Sequence, residues 1–522
     1  MTEDLPDQAL RTGTAEEAAL LLAALSSVGL ISEDAERRAG DDATAVEGRD
    51  TVERVLGEVA PSAPVATLLR MWQLGEPATG EEATAAFGLP PDRLVEMGLV
   101  RDAGDGTFAA EVVLTLHQGR WFACDSSRVR PLPMASNLVM PVGGSSLSLA
   151  GCVPSDWLGE AVDVGTGCGI QAILAAPRSD RVVGTDVNRR ALSMARFNAW
   201  LNGVTNVEFR EGSLLEPVAG EQFDVLMANP PFVVSPDSDH LYRDAQGGAD
   251  EICRALVEQA GPALKPGGIA VSLVNWVRRD EEDPFAAPRS WVAGTGLDAV
   301  VLHHFSDDRE TYARRWLQSG DVGADAVELA RWTEHYKSLN VSSIAMGVVV
   351  LHRPLRSGAV PWFGAYAAAL SRSNKQKGDH LRQLVALQDF LYGPAAEEAG
   401  PAALTARVLR AAEGHEVNRT LTWRDGSYHP STARTRIGVG FPFSASLDLG
   451  TAELLGRCDG RHTLAEVFAD LAAELGGDAD EMARRAMPSV RKLVSMGFLL
   501  PPDVADLPAG AAPQAREPAV VA

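Results

Sequence analysis

The chain of 522 residues lacks the long apolar segments, the paired cysteines and the excess of positive charge that would direct a protein to a membrane, an oxidising compartment or a nucleic acid. No uninterrupted apolar run approaches the roughly 18 to 20 residues that a membrane span requires. The apolar stretch Ala18 to Leu30 follows Glu3, Asp4, Asp7, Glu16 and Glu17, where a signal peptide would carry positive charge, so it reads as a core helix. Five cysteines (Cys124, Cys152, Cys168, Cys253 and Cys458) are widely scattered without a CxxC pair. That usage suits a reducing cytoplasm and argues against a structural zinc site, so no metal is expected. Basic residues number 47 against 70 acidic ones, for a net charge of -23. Such a chain repels phosphate backbones except where basic groups cluster locally, which disfavours nucleic acid as a partner.

What is present is a globular balance, 46% hydrophobic and 22% charged, in a chain long enough for two or three compact units. The first 60 residues are acidic, and residues 1–62 read as a helical entry segment. Over 63–130, helices at Ala66 to Leu74, Thr79 to Phe87 (with a Thr79, Glu82 cap) and Asp92 to Met97 precede a hairpin at Leu99 to Leu116. This is the pattern of a winged helix. Its third helix carries Asp92, Arg93 and Glu96 and is hardly basic, which speaks against DNA recognition. Residues 355–443 are expected to form a helical connecting region, with helices at Trp362 to Leu370 and Gly378 to Leu391. Residues 444–501 read as a second winged-helix-like domain, and the Pro- and Ala-rich tail, 502–522, as disordered. A faint echo between Leu94 to Val100 and Leu493 to Leu499 links the two flanking modules.

Between them, over 131–354, strand and helix signals alternate. Ala161 to Val164, Arg181 to Thr185, Asn206 to Arg210, Phe223 to Ala228, Gly268 to Val274, Leu297 to His303 and Ser342 to Leu351 read as seven strands. Alternation of this kind predicts an α/β, doubly wound, Rossmann-like parallel sheet with its ligand at the carboxyl ends of the strands.

Two motifs, beginning at Asp163 and Asn229 and so 66 residues apart, carry the chemistry. Gly165, Gly167 and Gly169, with Thr166 among them, follow the first strand and open a helix. There they let the backbone turn tightly and approach a ligand that side chains would block. The second strand ends in Asp186, placed to accept hydrogen bonds from the ribose hydroxyls of an adenosine. These features serve NAD as well as other nucleotide-like cofactors. Asn229-Pro230-Pro231-Phe232 follows the fourth strand and narrows the choice. A planar amide or aromatic amine is a poor nucleophile until its N–H groups are gripped. The Asn229 side-chain oxygen and the Pro230 carbonyl offer two fixed acceptors, Pro231 stiffens the turn, and Phe232 can stack on a flat substrate group. The pattern fits transfer of a methyl group to nitrogen.

With these residues in view, 158–354 resembles a class I S-adenosylmethionine-dependent methyltransferase of the small N-methyltransferase group, which includes release-factor glutamine methyltransferases and ribosomal RNA N-methyltransferases. The resemblance rests on Asp163, Gly165, Gly167, Gly169, Asp186, Asn229, Pro230, Pro231 and Phe232, with Lys265-Pro266-Gly267-Gly268 as the turn before the fifth strand. It implies S-adenosyl-L-methionine as cofactor, Asp163 near its methionine amino group, and Ser213, in Glu211 to Leu214, flanking its adenine. It also implies that Val139 to Leu149 closes over the cofactor. The extension through Tyr242-Arg243-Asp244 and Gly247 to Asp250 is closest to the glutamine and lysine branch and to a multidomain actinobacterial type. The segment from Leu447 through Asp459-Gly460 to Phe498 resembles PqqD-like elements, which bind a leader peptide by strand addition; a structural cap on the core fits the same residues.

Two acceptor classes follow. The favoured one is an amide or amine nitrogen of a protein or peptide, including a ribosomally made peptide; for an aliphatic amine, Asp244 or Tyr242 would take the proton. The alternative is an exocyclic amine of an RNA base, stacked on Phe232. The basic run Arg372, Lys375, Lys377 and Arg382 reads as a solvated helix face. His303 and His304 are adjacent on a strand and point to opposite faces, which argues against a shared metal.

Overall fold

The structure is a computed structural model that describes residues 9–26, 63–126, 137–236, 250–279, 283–317, 322–355, 360–368, 376–392 and 404–504, with a few single residues between. The acidic stretch 32–50, Tyr242, Arg243, Asp244, Gly247 to Ala249, Arg372, Lys375 and nearly all of the tail lie outside the described residues. The chain divides into two units, 1–150 with 157–295 and 306–349, and 151–156 with 296–305 and 350–522.

In the first unit a helix over 15–26 precedes helices Pro64–Leu69, Gly80–Phe87 and Pro91–Met97. The Thr79 hydroxyl accepts from Glu82 N at 3.3 Å while Thr79 N donates to the Glu82 carboxylate at 2.9 Å, a reciprocal cap that starts the second of these helices. Strands β1 (Ala78–Thr79), β2 (Val100–Gly104) and β3 (Thr107–Ala110) form an antiparallel sheet in the order β1-β3-β2, and β4 (Val113–His117) pairs with β5 (Arg120–Cys124).

The central sheet contains β6 (Gly159–Val164), β7 (Ser179–Asp186), β8 (Val207–Glu211), β9 (Phe223–Ala228), β10 (Leu264–Arg278), β11 (Asp298–Asp308), β12 (Ser343–His352) and β13 (Phe363–Ala367). Its order is β13-β11-β12-β10-β9-β6-β7-β8, and the pairs from β10 through β9, β6 and β7 to β8 are parallel. The order reverses at β6, which sends its successors outward in both directions, as in a doubly wound sheet. The seven expected strands are all present. The eighth, β13, runs parallel to β11 at the sheet edge and replaces the helix expected over Trp362 to Leu370. Beside it the Asp298 carboxylate accepts from Trp362 N at 3.1 Å and lies 3.1 Å from His352 Nδ1, while Asp389 accepts from the Trp362 indole at 3.0 Å. These three side chains form a metal-compatible cluster, and their bonds to Trp362 and to one another account for it.

Among its described residues, the region expected as a helical connection holds the helix Lys377–Tyr392 and, from Val408 to Ile437, strands. Strand β14 (Val408–Ala411) is followed by β15 (His415–Arg424) and β16 (Ser427–Ile437), a long antiparallel ribbon joined to β17 (Ser444–Leu447). Helices Leu449–Arg457, Leu464–Leu475 and Ala479–Ser495 then alternate with β18 (Asp459–Thr463) and end at β19 (Leu499–Leu500), with β14 central in the sheet β18-β14-β19. The expected solvated basic face is corrected at Lys377, whose side chain is fully buried beside Cys152; burial holds its pKa below the usual lysine range. Arg382 is exposed and pairs with Asp156 at 2.8 Å.

Candidate active site

The sheet register closes the gap between the two motifs. β6 pairs with β9 so that Val164 lies opposite Ala228, and with β7 so that Val164 lies opposite Thr185. The residues that follow, Gly165, Asn229 and Asp186, therefore leave three neighbouring strands at the same edge, about 5 Å apart from strand to strand. Asp186 itself is paired with Glu211 of β8, which brings the turn at Gly212 and Ser213 to that edge as well.

Gly165, Gly167 and Gly169 have φ of 70°, 55° and 86°, the left-handed region that favours glycine. A Cβ at Gly165 or Gly167 would meet nothing within 4 Å, whereas one at Gly169 would lie 3.1 Å from the Cβ of Ala195. The first two thus border open space, and the third lets the helix Ile170–Ala175 pack on the helix Arg189–Leu201. Thr166 N donates to Thr185 O at 2.9 Å, and Gly167 N donates to the Asp186 carboxylate at 2.8 Å. Asp186 also accepts from Asn188 N at 2.9 Å. Burial holds its pKa above the usual range, against these two bonds.

Asp163 is buried beneath the loop, accepting from the Thr166 hydroxyl at 2.6 Å and from Ala172 N at 3.1 Å. Desolvation pushes its pKa up to about 7. On the far side, Gly212 N donates to Asp186 O at 3.0 Å and the Thr185 hydroxyl donates to Leu214 O at 2.9 Å, which fixes the turn bearing the exposed Ser213.

Asn229 supplies the decisive detail. Its Nδ2 donates to the Ser145 hydroxyl at 3.1 Å, while its Oδ1 is buried and accepts no hydrogen bond from the described residues. A buried acceptor left unsatisfied costs about 1 to 3 kcal/mol, so it marks a place where a donor belongs. Ser145 opens the helix Gly144–Ala150, and the neighbouring Ser146 carbonyl accepts from Gln171 Nε2 at 2.6 Å. The segment expected to close over the cofactor is thus tied to both motifs. Pro230 is buried, and Phe232 is 8% exposed, leaving only an edge of its ring for a substrate. Beyond it, Val234 N donates to the Tyr312 hydroxyl at 3.2 Å and the Tyr336 hydroxyl donates to Val234 O at 2.7 Å. Asn275 Nδ2 donates to Tyr312 at 2.8 Å, so three buried polar side chains hold the turn's exit.

Several of these positions carry no sequence signal. Asn198, fully buried, exchanges hydrogen bonds with both backbone groups of Ala123 at 2.7 and 3.0 Å and donates to Cys168 O at 2.9 Å. It joins β5 to the glycine loop. Ser145, Tyr312 and Tyr336 are equally silent as isolated letters.

A three-glycine loop, a carboxylate on the next strand and an unsatisfied amide oxygen on the adjacent one meet at one edge of the sheet. Residues 143–279 match the family described as Methyltransferase small domain, and residues 32–111 match a domain of unknown function, DUF7059. Among curated proteins, the chain is 34% identical over 155 residues to a release factor glutamine methyltransferase from Xylella fastidiosa, covering 27% of this chain and 54% of that one. It is 38% identical over 124 residues to the release factor glutamine methyltransferase of Deinococcus radiodurans, covering 21% and 43%. It is also 32% identical over 130 residues to a putative protein N5-glutamine methyltransferase of Methanocaldococcus jannaschii, covering 24% and 65%. The chain thus spans about half the length of the curated relatives it matches.

Proposed function

We propose that the protein is an S-adenosylmethionine-dependent N-methyltransferase acting on a side-chain amide or amine of a protein or peptide. The observation that carries this reading is the buried, unpartnered Oδ1 of Asn229 beside an open glycine loop. Gly165 and Gly167 leave room for the cofactor, the Asp186 carboxylate stands where ribose hydroxyls would reach it, and the ionised form of Asp163 would balance a cationic amino group. When bound, the cofactor supplies an electrophilic methyl group on a positively charged sulfur. The chain's own contribution is positioning. Asn229 Oδ1 and the Pro230 carbonyl accept the two N–H bonds of the acceptor, which aims its lone pair and fixes its plane. The relatives named as glutamine methyltransferases support an amide as the acceptor, and the net charge of -23 favours a protein over a nucleic acid as its carrier at this site.

The flanking elements are read as two winged-helix-like modules, the C-terminal one suited to adding a peptide strand beside its small sheet. The test is transfer of labelled methyl groups from S-adenosylmethionine into fractionated lysate, followed by protease or ribonuclease. Label released by protease and lost with Asn229→Ala supports the reading; label released by ribonuclease moves the acceptor to RNA. Turnover retained by Asn229→Ala sinks the assigned role.

A further inference from the structure

The ribbon of β15 and β16 has no part in the site described above. Its register places Trp423 opposite Tyr428, Leu421 opposite Pro430, Thr422 opposite His429, Asn418 opposite Arg434 and Glu416 opposite Arg436. Side chains alternate between faces. One face therefore carries Val417, Arg419, Leu421, Trp423, Tyr428 and Pro430. The other carries Arg424, Arg434, Arg436 and His429, with Glu416 across from Arg436 and with Asn418, Thr420, Thr422 and Thr432 between them. At the base the apolar face is covered, since Ala433, Thr435 and Ile437 are buried. Beyond it both faces are open: Leu421 is 54%, Trp423 60% and Tyr428 67% exposed, and every residue from 423 to 432 is exposed.

Two-stranded ribbons are marginal in water, and a row of exposed large apolar side chains marks an interaction site. The charge is equally local. In a chain of net charge -23, this ribbon holds four arginines against Glu416 and Asp425, with no lysine. Arg419 is engaged by Glu453 at 2.6 Å, whereas Arg424, Arg434 and Arg436 form no ion pair among the described residues.

We propose that this ribbon is an arm that enters a folded RNA, with its arginine face against phosphates and its Trp423 and Tyr428 face against unpaired bases. Because both faces are open, the occupant must present two walls. One wall has to be polyanionic, and guanidinium groups grip phosphate oxygens bidentately. From the level of Arg436 to that of Arg424 the face runs about 26 Å, enough to follow a phosphate backbone. The other wall meets two aromatic rings at the ribbon's end, 4.9 Å apart and edge-to-face at 71°, whose outer surfaces suit stacking of flat bases. The hydroxyl and amide row between the arginines suits 2′-hydroxyls, which favours RNA over DNA. The proposal stands apart from the methyl-transfer reading and fails or survives independently of it.

The test uses the full chain and a labelled stem-loop RNA with an unpaired internal loop, alongside a fully paired RNA duplex and the same stem-loop in DNA, over a range of salt. Preference for the looped RNA is expected. The combined variant R424S, R434S and R436S should weaken binding about tenfold or more and reduce the salt slope by about 2, the value for three phosphates at the single-strand coefficient. Trp423→Ala with Tyr428→Ala should cost about tenfold and erase the preference for the internal loop. Thermal unfolding matched to the parent serves as the control for fold. Four results would overturn the proposal: no binding at low salt, equal binding of the three nucleic acids, binding insensitive to both sets of variants, or full competition by polyglutamate. A dimer seen by light scattering and dissolved by Trp423→Ala would assign the apolar face to a second copy instead.

Discussion

Arg190 grips Asp125 with two nitrogens, Nη2 to Oδ1 at 2.6 Å and Nε to Oδ2 at 3.0 Å, and both side chains are buried. The same carboxylate accepts from Val139 N at 2.9 Å. The pair fastens the first turn of the helix Arg189–Leu201 to the residue that follows β5 and to the segment leading into Ser145. Removing one partner strands the other charge in the interior. Asp125→Ala is expected to cost about 3 to 5 kcal/mol, measured by urea unfolding, and the double variant with Arg190→Met should recover part of that loss. A cost under about 1 kcal/mol would show the pair to be dispensable.

Under the proposed function, Ser145 is a positioning residue that acts through Asn229, whose Nδ2 donates to its hydroxyl. Without its hydroxyl the amide nitrogen loses its anchor and the amide is free to turn Oδ1 away. Ser145→Ala should lower kcat about tenfold while leaving cofactor affinity unchanged, and Ser145→Thr should restore part of the rate. Equal losses in kcat and in cofactor affinity would point to collapse of the loop instead.

Gly169 and Gly167 should fail in different ways. Gly169→Ala places a methyl group 3.1 Å from Ala195 in a left-handed backbone, so the loss should appear as stability, about 1 to 3 kcal/mol. Gly167→Ala meets open space, and beyond the backbone cost its effect should fall on cofactor affinity, read by calorimetry.

Asp163 gives the apoprotein a pH dependence of definite sign. Its pKa in the folded state, about 7, lies above the ordinary 3.8, so folding takes up a proton between those values. The stability tied to that proton is complete below 3.8 and is lost as pH rises through 7. Between those limits the melting temperature of the apoprotein should fall more steeply than that of Asp163→Asn. A bound cationic amino group favours the carboxylate, so cofactor affinity should rise over the same window and stay flat in the variant. Identical slopes in the two proteins would remove Asp163 from that role.

Most of the sheet could be read from the sequence because strands buried on both faces are almost continuous apolar runs, as in Phe223 to Ala228. The eighth strand could not, because Phe363 to Ala367 sits at an edge beside β11 alone and is flanked by alanines and leucines at helical spacing. β15 and β16 were hidden for the opposite reason: His415 to Arg424 is polar or exposed on both faces and shows no inward side. Lys377 misled because a charge in a basic run implies solvent, while its place on the helix turns it inward. The glycine turn after β6 and the Asn229 turn after β9 were legible because a strand end and its turn residues are local signals. Ser145 and Asn198 act on partners 84 and 75 residues away, and no short pattern encodes such a bond.

All five cysteines are free and buried, and burial raises the pKa of Cys152, Cys168, Cys253 and Cys458 to about 12. A native molecule therefore offers almost no thiolate to an alkylating reagent. Because Cys168 lies in the glycine loop and Cys458 between a helix and β18, mass-resolved labelling at each would clock how often those two regions open, residue by residue and without an introduced probe.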